Sequence, residues 1–373
     1  MAKIKILMAG GRRCGKSTIL YNMQKEMRQV LRHGPNDTTP TDLFNLVLDK
    51  NNIVKITRAQ EFLTDLFSGD NGYSRYCDFP GDDVPDKDRT IVKMHLRPTS
   101  IPRESLTLEF TDVPGEWFDG ICSSEPTTGE QKFNICVDLM KDSDVIILAI
   151  DTPSMIEANG KYFEYFNRYE NISNALRTAI ADGDSNKLVL FVPLKCEKYI
   201  IDPGNGREIE GGKQRVTDAV KEKYGELISF LTEPIMSQRI TVAITPISTI
   251  REIHWSRFKL FDNNGGELRV YDEETGLPVT VRKDDANRLL TSFYSFNDAL
   301  YDDALEDGTT SKYCEQPLVY TLAYALKLSQ SRQGFLSSLF RAQRHYGEEI
   351  ERLRRRVMKR QNGFEIISNP FAI

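Results

Sequence analysis

Lys3-Ile4-Lys5-Ile6-Leu7-Met8-Ala9-Gly10-Gly11-Arg12-Arg13-Cys14-Gly15-Lys16-Ser17-Thr18 is the stretch on which the reading of the chain turns. Lys3 to Ala9 predicts a short strand. Ile19, Leu20, Met23, Met27 and Leu31 recur at helical spacing and predict a helix over Lys16 to Arg32. Between them Gly10 to Ser17 satisfies G-x-x-x-x-G-K-[ST], a phosphate-binding loop (P-loop) in its proper strand–turn–helix context. Gly10 and Gly15 let the backbone wrap closely, so that the amides of Gly11, Arg12, Arg13 and Cys14 and the helix N-terminus face a phosphate chain. Lys16 supplies a point charge to the β- and γ-phosphates. The Ser17 hydroxyl completes a Mg²⁺ site, a hard cation that takes oxygen ligands, and Thr18 is placed to touch the α-phosphate.

Downstream, Gly34 to Arg89 is polar and irregular, with one helical patch near Ala59 to Phe67. Thr90 to Leu96 and Ser105 to Thr111 alternate apolar and polar residues across Pro98 to Pro102, and predict two adjacent antiparallel strands. The second runs into Asp112-Val113-Pro114-Gly115-Glu116. An acidic residue there can hold Mg²⁺ through water, and Gly115 can present its N–H to a γ-phosphate. Three apolar strands follow, Asp144 to Ile150, Lys187 to Pro193 and Ile240 to Thr245, separated by helical segments. Strands alternating with helices imply an α/β fold with a doubly wound, mostly parallel sheet carrying one antiparallel strand. After Ile250, short strands at Phe258 to Phe261, Leu268 to Tyr271 and Pro278 to Val281 are divided by Asn263-Asn264-Gly265-Gly266 and Glu273-Glu274-Thr275-Gly276 turns. The expected organisation is a core over 1–250, a β-hairpin insertion over 251–313, a closing core helix within 314–330, and a basic C-terminal helix and tail over 331–373.

Composition bounds the function. The chain has 373 residues, 40% hydrophobic and 28% charged, enough for one enlarged α/β domain or two modest ones. A net charge of −5 provides no whole-protein attraction to nucleic acid or anionic lipid. No apolar run reaches the length of a membrane helix, and no export signal precedes the P-loop. The six cysteines show no C-x-x-C pair and the four histidines no ligand spacing, so reduced thiols, a cytoplasmic location and no histidine metal centre are expected. The run Arg352, Arg354, Arg355, Arg356, Lys359 and Arg360 reads as a solvated helix face paired with Glu348, Glu349 and Glu351.

A third motif, Leu194-Lys195-Cys196-Glu197, ends the strand beginning at Lys187. With Gly10 to Ser17 and Asp112 to Gly115 it resembles, in order and spacing, the motifs of the TRAFAC class of P-loop GTPases, and within that class the layout is most similar to the prokaryotic double-GTPase group linked to conflict systems. The resemblance implies that Lys195 lies over a guanine plane and Glu197 accepts from its N1 and N2 groups. Leu194 stands where that class carries Asn or Thr, and Glu197 is a methylene longer than the usual Asp. Thr245-Pro246-Ile247-Ser248 takes the place of the fifth motif. By resemblance to guanylate-binding proteins Arg13 is a cis arginine finger, the alternative being that Arg12 and Arg13 are solvated or meet a partner. Glu116 stands where Ras-like proteins carry a water-orienting glutamine. A switch I threonine is expected before the strand at Thr90, with Thr90 itself the nearest candidate.

The expectation is a regulatory switch that binds GTP with Mg²⁺, hydrolyses it slowly to GDP and signals to an effector or regulatory protein. A second GTPase as partner is implied by resemblance, and a homodimer across the nucleotide face is conceivable. A P-loop ATPase, or a nucleotide-bound module without significant hydrolysis, remains open beside it.

Overall fold

The protein was analysed as a computed structural model, which describes residues 2–11, 14–32, 44–48, 76–77, 89–98, 106–118, 126–181, 183–264, 267–272, 278–280, 290–297, 299–300, 310–331, 355, 365–371 and 373. Thirteen strands form two sheets among these residues. The larger has the order β13-β8-β7-β6-β1-β5-β4-β2, with β1 Ala2–Gly10, β2 Phe44–Leu48, β4 Thr90–Pro98, β5 Leu106–Asp112, β6 Val145–Asp151, β7 Lys187–Leu194, β8 Ile240–Ile244 and β13 Glu365–Ser368. The five strands β8, β7, β6, β1 and β5 are parallel. β4 is antiparallel to β5, as the alternating pattern predicts. Two further antiparallel pairings extend the edges, β2 on β4 and β13 on β8. The four residues of β13 carry too little periodicity to announce an edge strand in the sequence.

The central strands read as unbroken apolar runs because both faces are covered, the usual condition of a parallel sheet. In β6, Val145, Ile147 and Ala149 face one core while Ile146, Leu148 and Ile150 face the other. The first core is closed by α1 (Lys16–Arg32), through Ile19, Leu20, Met23 and Met27, and by the apolar helix Gln316–Ser331. That helix packs against α1 and β7. The second core is closed by α2 (Pro126–Asp142), by a helix over Tyr169–Ala181, and by the pair Gly212–Lys223 and Gly225–Leu231. Lys187, 2% exposed, lies at this face and donates to the carbonyls of Met140, Lys141 and Ser143 at 3.1, 2.7 and 2.7 Å, completing the C-terminal end of α2.

The second sheet is antiparallel, in the order β11-β10-β9-β12-β3, with β3 Tyr76–Cys77, β9 Ile253–Asn264, β10 Glu267–Asp272, β11 Pro278–Thr280 and β12 Leu290–Phe296. It is larger than the expected hairpin, since β12 and β3 join it. Its inner face packs Ile253, Trp255, Phe258, Tyr294 and Phe296 on Tyr162 and Phe166, which lie in the connection between β6 and the helix Tyr169–Ala181. Phe258 is the hub, with ring centroids 4.9 Å from Tyr162 and Trp255 and 5.5 Å from Phe166. No helix among the described residues is long and apolar enough to cross a membrane. Of the basic C-terminal run only Arg355 falls within the described residues, where it is exposed and helical.

Candidate nucleotide site

Parallel strands point the same ends of their chains at one edge of the sheet, and here that edge collects every motif. β1 ends at Gly10, β5 at Asp112, β6 at Asp151, β7 at Leu194 and β8 at Ile244. β1 lies between β5 and β6, and the helices that follow β1 and β5, α1 and α2, cover opposite faces of the sheet. A crevice at the carboxyl ends of such strands is where open α/β sheets bind ligands.

The turn after β1 is shaped by its glycines. Gly15 has φ +102°, a left-handed conformation that a side chain disfavours. Gly11 needs its missing side chain for another reason: a Cβ there would lie 1.7 Å from the carbonyl oxygen of Phe166. That oxygen belongs to the short helix Phe163–Asn167, which therefore seals one side of the loop. Leu194 supports the other side, since a Cβ on Gly15 would meet its Cδ1 at 3.6 Å. Leu194 thus contributes packing at the position where Asn or Thr was the expected polar residue.

Lys16 is buried at 8% exposure. Its Nζ donates to the carbonyls of Gly10 at 3.0 Å and Gly11 at 3.1 Å, and its remaining neighbour is Cys14 Sγ at 3.9 Å. An ammonium carries three donors and a thiol is a weak acceptor, so a phosphate oxygen would be the stronger partner for the third proton. Burial alone would depress the Lys16 pKa; the neighbouring Cys14, Asp112 and Glu116 outweigh it and hold the ammonium above its ordinary value. Burial raises the Cys14 thiol against the opposing pull of Lys16 and Lys195. The lysine is charged, anchored and aimed.

Asp112 is the last residue of β5 and lies in register with Met8 of β1 and Thr90 of β4. Thr90 and Asp112 are therefore side by side. Gly115 and Glu116 open a 3₁₀ turn, Gly115–Phe118, held by Trp117 N–H donating to Pro114 O at 3.0 Å. Ser17 and Thr18 occupy the first turn of α1, with Thr18 half-buried. A carboxylate at Asp112, where β5 ends in the crevice, offers the hard oxygen donors that suit Mg²⁺, which takes few protein ligands and keeps waters. Arg12, Arg13 and the Ser17 side chain lie outside the described residues.

Lys195 has φ +59° and its Nζ forms a 2.6 Å ion pair with Asp151 Oδ2, Asp151 being 1% exposed. Burial opposes the charge on Lys195, but Asp151 and the adjacent Tyr294 hold the ammonium above its ordinary pKa. Asp151 is itself fixed: its Oδ1 accepts from Ser154 N–H at 3.0 Å, and its backbone N–H donates to Asn167 Oδ1 at 2.7 Å. Glu197, 3% exposed, uses Oε1 to accept from Thr249 N–H at 2.6 Å, Thr249 Oγ1 at 3.0 Å and Ile250 N–H at 3.0 Å. Burial raises its pKa against the opposing effect of those bonds. The expectation that Glu197 faces a base thus meets a carboxylate with one oxygen committed to the loop after β8. Asn22 of α1 grips the same loop, donating to Thr249 O at 2.7 Å.

Several of these residues escape motif reading. Asp151 is signalled weakly, as an acidic residue before Thr152-Pro153-Ser154 and hence a helix N-cap. Asn22, Phe166, Asn167 and Tyr294 carry no local signal, because their roles exist only once distant segments meet. A cleft of about 600 Å³ lined by Glu208, Lys213, Gln214 and Glu365, among others, lies elsewhere, and no P-loop residue borders it.

A glycine turn and buried lysine after β1, an aspartate ending β5, and an antiparallel strand beside it define a P-loop nucleoside-triphosphatase fold. Residues 78–255 match the family model described as Double-GTPase 2. That match spans a little under half of the chain and supports a P-loop GTPase of the double-GTPase kind. No curated protein matches the chain. Among solved structures it is similar to the signal recognition particle receptor SRb-GTP/SRX complex from Chaetomium thermophilum, at 12% identity and TM-score 0.34, covering 67% of this chain and 92% of that one. It is also similar to the S. cerevisiae Ski7 GTPase-like domain bound to GDP and inorganic phosphate, at 16% identity and TM-score 0.33, covering 66% of this chain and 43% of that one.

Proposed function

We propose that the chain is a regulatory GTPase that binds GTP with Mg²⁺ at this crevice, cleaves it slowly to GDP and phosphate, and communicates its nucleotide state to a protein partner. The observation that carries the proposal is Lys16, an anchored ammonium whose third proton lacks a strong acceptor, with Asp112 beside it. Gly10 to Thr18 would cradle the phosphates, Ser17 and Asp112 would hold the metal, and Gly115 would meet the γ-phosphate. Mg²⁺, when bound, neutralises charge on the β- and γ-oxygens. Lys195 and Glu197 would border the base. Arg13 would supply transition-state charge in cis, a contribution worth about 10³ to 10⁵ in rate where arginine fingers operate.

Slow turnover follows from Glu116. A carboxylate facing a γ-phosphate is repelled where a glutamine would orient water, so Glu116 is a poor substitute unless a proton or metal bridges it. Such a protein acts as a timer, and its readers would be an effector or a second GTPase. A P-loop ATPase is a second reading, favoured by the commitment of Glu197 Oε1 to Thr249 and Ile250. Multiple-turnover hydrolysis of GTP and ATP with Mg²⁺ tests both: preferential GTP cleavage, reduced on Arg13→Ala, supports the proposal. Preferential ATP cleavage overturns it.

A further inference from the structure

Two features join the second sheet to the nucleotide crevice. The first is the Phe166 backbone. Its carbonyl closes on Gly11 of the P-loop, while its ring stacks on Phe258 of β9, 5.5 Å between centroids. The second is Tyr294 of β12. It is 4% exposed, and its ring centroid lies 5.7 Å from Lys195 Nζ, on the ammonium that Asp151 Oδ2 holds at 2.6 Å. Lys195 thus sits between a carboxylate from the core and a phenol from the second sheet. The link passes through packed aromatic rings, Tyr162, Phe166, Trp255, Phe258 and Tyr294, a close-packed cluster of the kind that transmits strain.

We infer that Tyr294 is a positioning residue for base recognition: with Asp151 it fixes where the Lys195 stem lies, so that docking of the second sheet and binding of the base half of a nucleotide are thermodynamically linked. The inference rests on the nucleotide reading above and extends it by assigning the second sheet a role in the site. An ammonium with a single partner could swing about the carboxylate. A second contact from a rigid sheet removes that freedom before the ligand arrives, which is how preorganisation raises affinity. Linkage is reciprocal, so a ligand that engages Lys195 must also stabilise the position of β12.

The test separates the two halves of the ligand. Affinities of wild type, Tyr294→Leu and Asp151→Asn are measured for GTP and for inorganic tripolyphosphate, each with Mg²⁺. Tripolyphosphate engages the P-loop and has no base. Tyr294→Leu removes the ring whose face meets the Lys195 ammonium, and is expected to weaken GTP roughly tenfold, with tripolyphosphate changed less than about twofold. Asp151→Asn is expected to lose GTP further. Equal losses for both ligands would mean that Tyr294 supports the fold in general, and no loss for GTP would mean that it does not position Lys195; either overturns the inference. Hydrogen exchange of wild type guards against variants that misfold. GTP should slow exchange across 290–296 and tripolyphosphate should not, and an identical response to the two overturns the inference. If wild type binds tripolyphosphate but shows no added affinity for GTP, the guanine-nucleotide reading itself falls, and the inference with it.

Discussion

Replacing Gly11 by alanine adds a single methyl group at the most crowded point of the P-loop. The new Cβ would stand 1.7 Å from Phe166 O, 2.8 Å from Phe166 C and 3.5 Å from Asn167 Cα. Cβ contacts below 3.0 Å are essentially never seen, and the opposing atoms are backbone, which cannot rotate aside like a side chain. A normal carbon–oxygen approach is about 3.3 Å, so the loop and the helix Phe163–Asn167 must separate by roughly 1.5 Å. That helix cannot retreat freely, because Asn167 bonds Asp151 and Phe166 stacks on Phe258. Overpacking of this kind costs about 3 kcal/mol, the upper end of the usual range. At about 2–4 °C per kcal/mol, the melting temperature should fall by roughly 6–12 °C. Gly10→Ala meets Ala149 O at 2.6 Å and Cys14 Sγ at 3.0 Å and should fall between the extremes. Gly225→Ala, with nothing within 4 Å, should change stability by less than about 0.5 kcal/mol. Thermal melts of the three variants followed by circular dichroism give the order. Gly11→Ala melting with Gly225→Ala would refute the placement of Phe166 against the loop.

Two further expectations concern buried charges. Lys187→Met should cost about 2–4 kcal/mol in urea unfolding, because three carbonyls at the end of α2 lose their donor, and a midpoint equal to wild type would contradict that role. Glu26 of α1 is hydrogen-bonded to Ser311 Oγ and accepts from Glu315 N–H at 3.1 Å, and burial, with the nearby Glu315 carboxyl, pushes its pKa up to about 8 from 4.5. An acid whose folded pKa is raised gives up its proton first in the unfolded chain. The stability it contributes is full below about pH 4.5 and is lost as pH rises through 8. Wild type should lose on the order of 4 kcal/mol between pH 5 and pH 8, and Glu26→Gln should flatten that slope; an unchanged slope would mean that Glu26 ionises normally.

The parts of this architecture that lie within one short segment were legible in the sequence. The strand, turn and helix around Lys16 follow from glycine spacing and apolar periodicity, and β4 with β5 follows from alternation ending at Asp112. The double-sided burial of β6 and β7 was legible as unbroken apolar runs. What escaped is tertiary. Gly11 reads as a phosphate-loop residue, yet its tightest constraint comes from Phe166, 155 positions on. Glu197 reads as a base contact, yet Oε1 closes the Thr249 loop, a bond that no spacing rule anticipates. The insertion was visible as turns and short strands, but β12 was not, and with it went Tyr294 and the link to Lys195. Residues whose work depends on a partner about fifty or more positions away leave no local period to read.

On the function proposed above, Lys16 awaits the phosphate chain of a guanine nucleotide. Equilibrium binding of GTP, GDP and ATP with Mg²⁺ to wild type and to Lys16→Ala addresses it most directly, with circular dichroism to show that the variant folds. Tighter binding of GTP than ATP, lost by a factor of about 100 or more in folded Lys16→Ala, is the predicted result. Equal GTP binding by wild type and Lys16→Ala, or a preference for ATP, would contradict it.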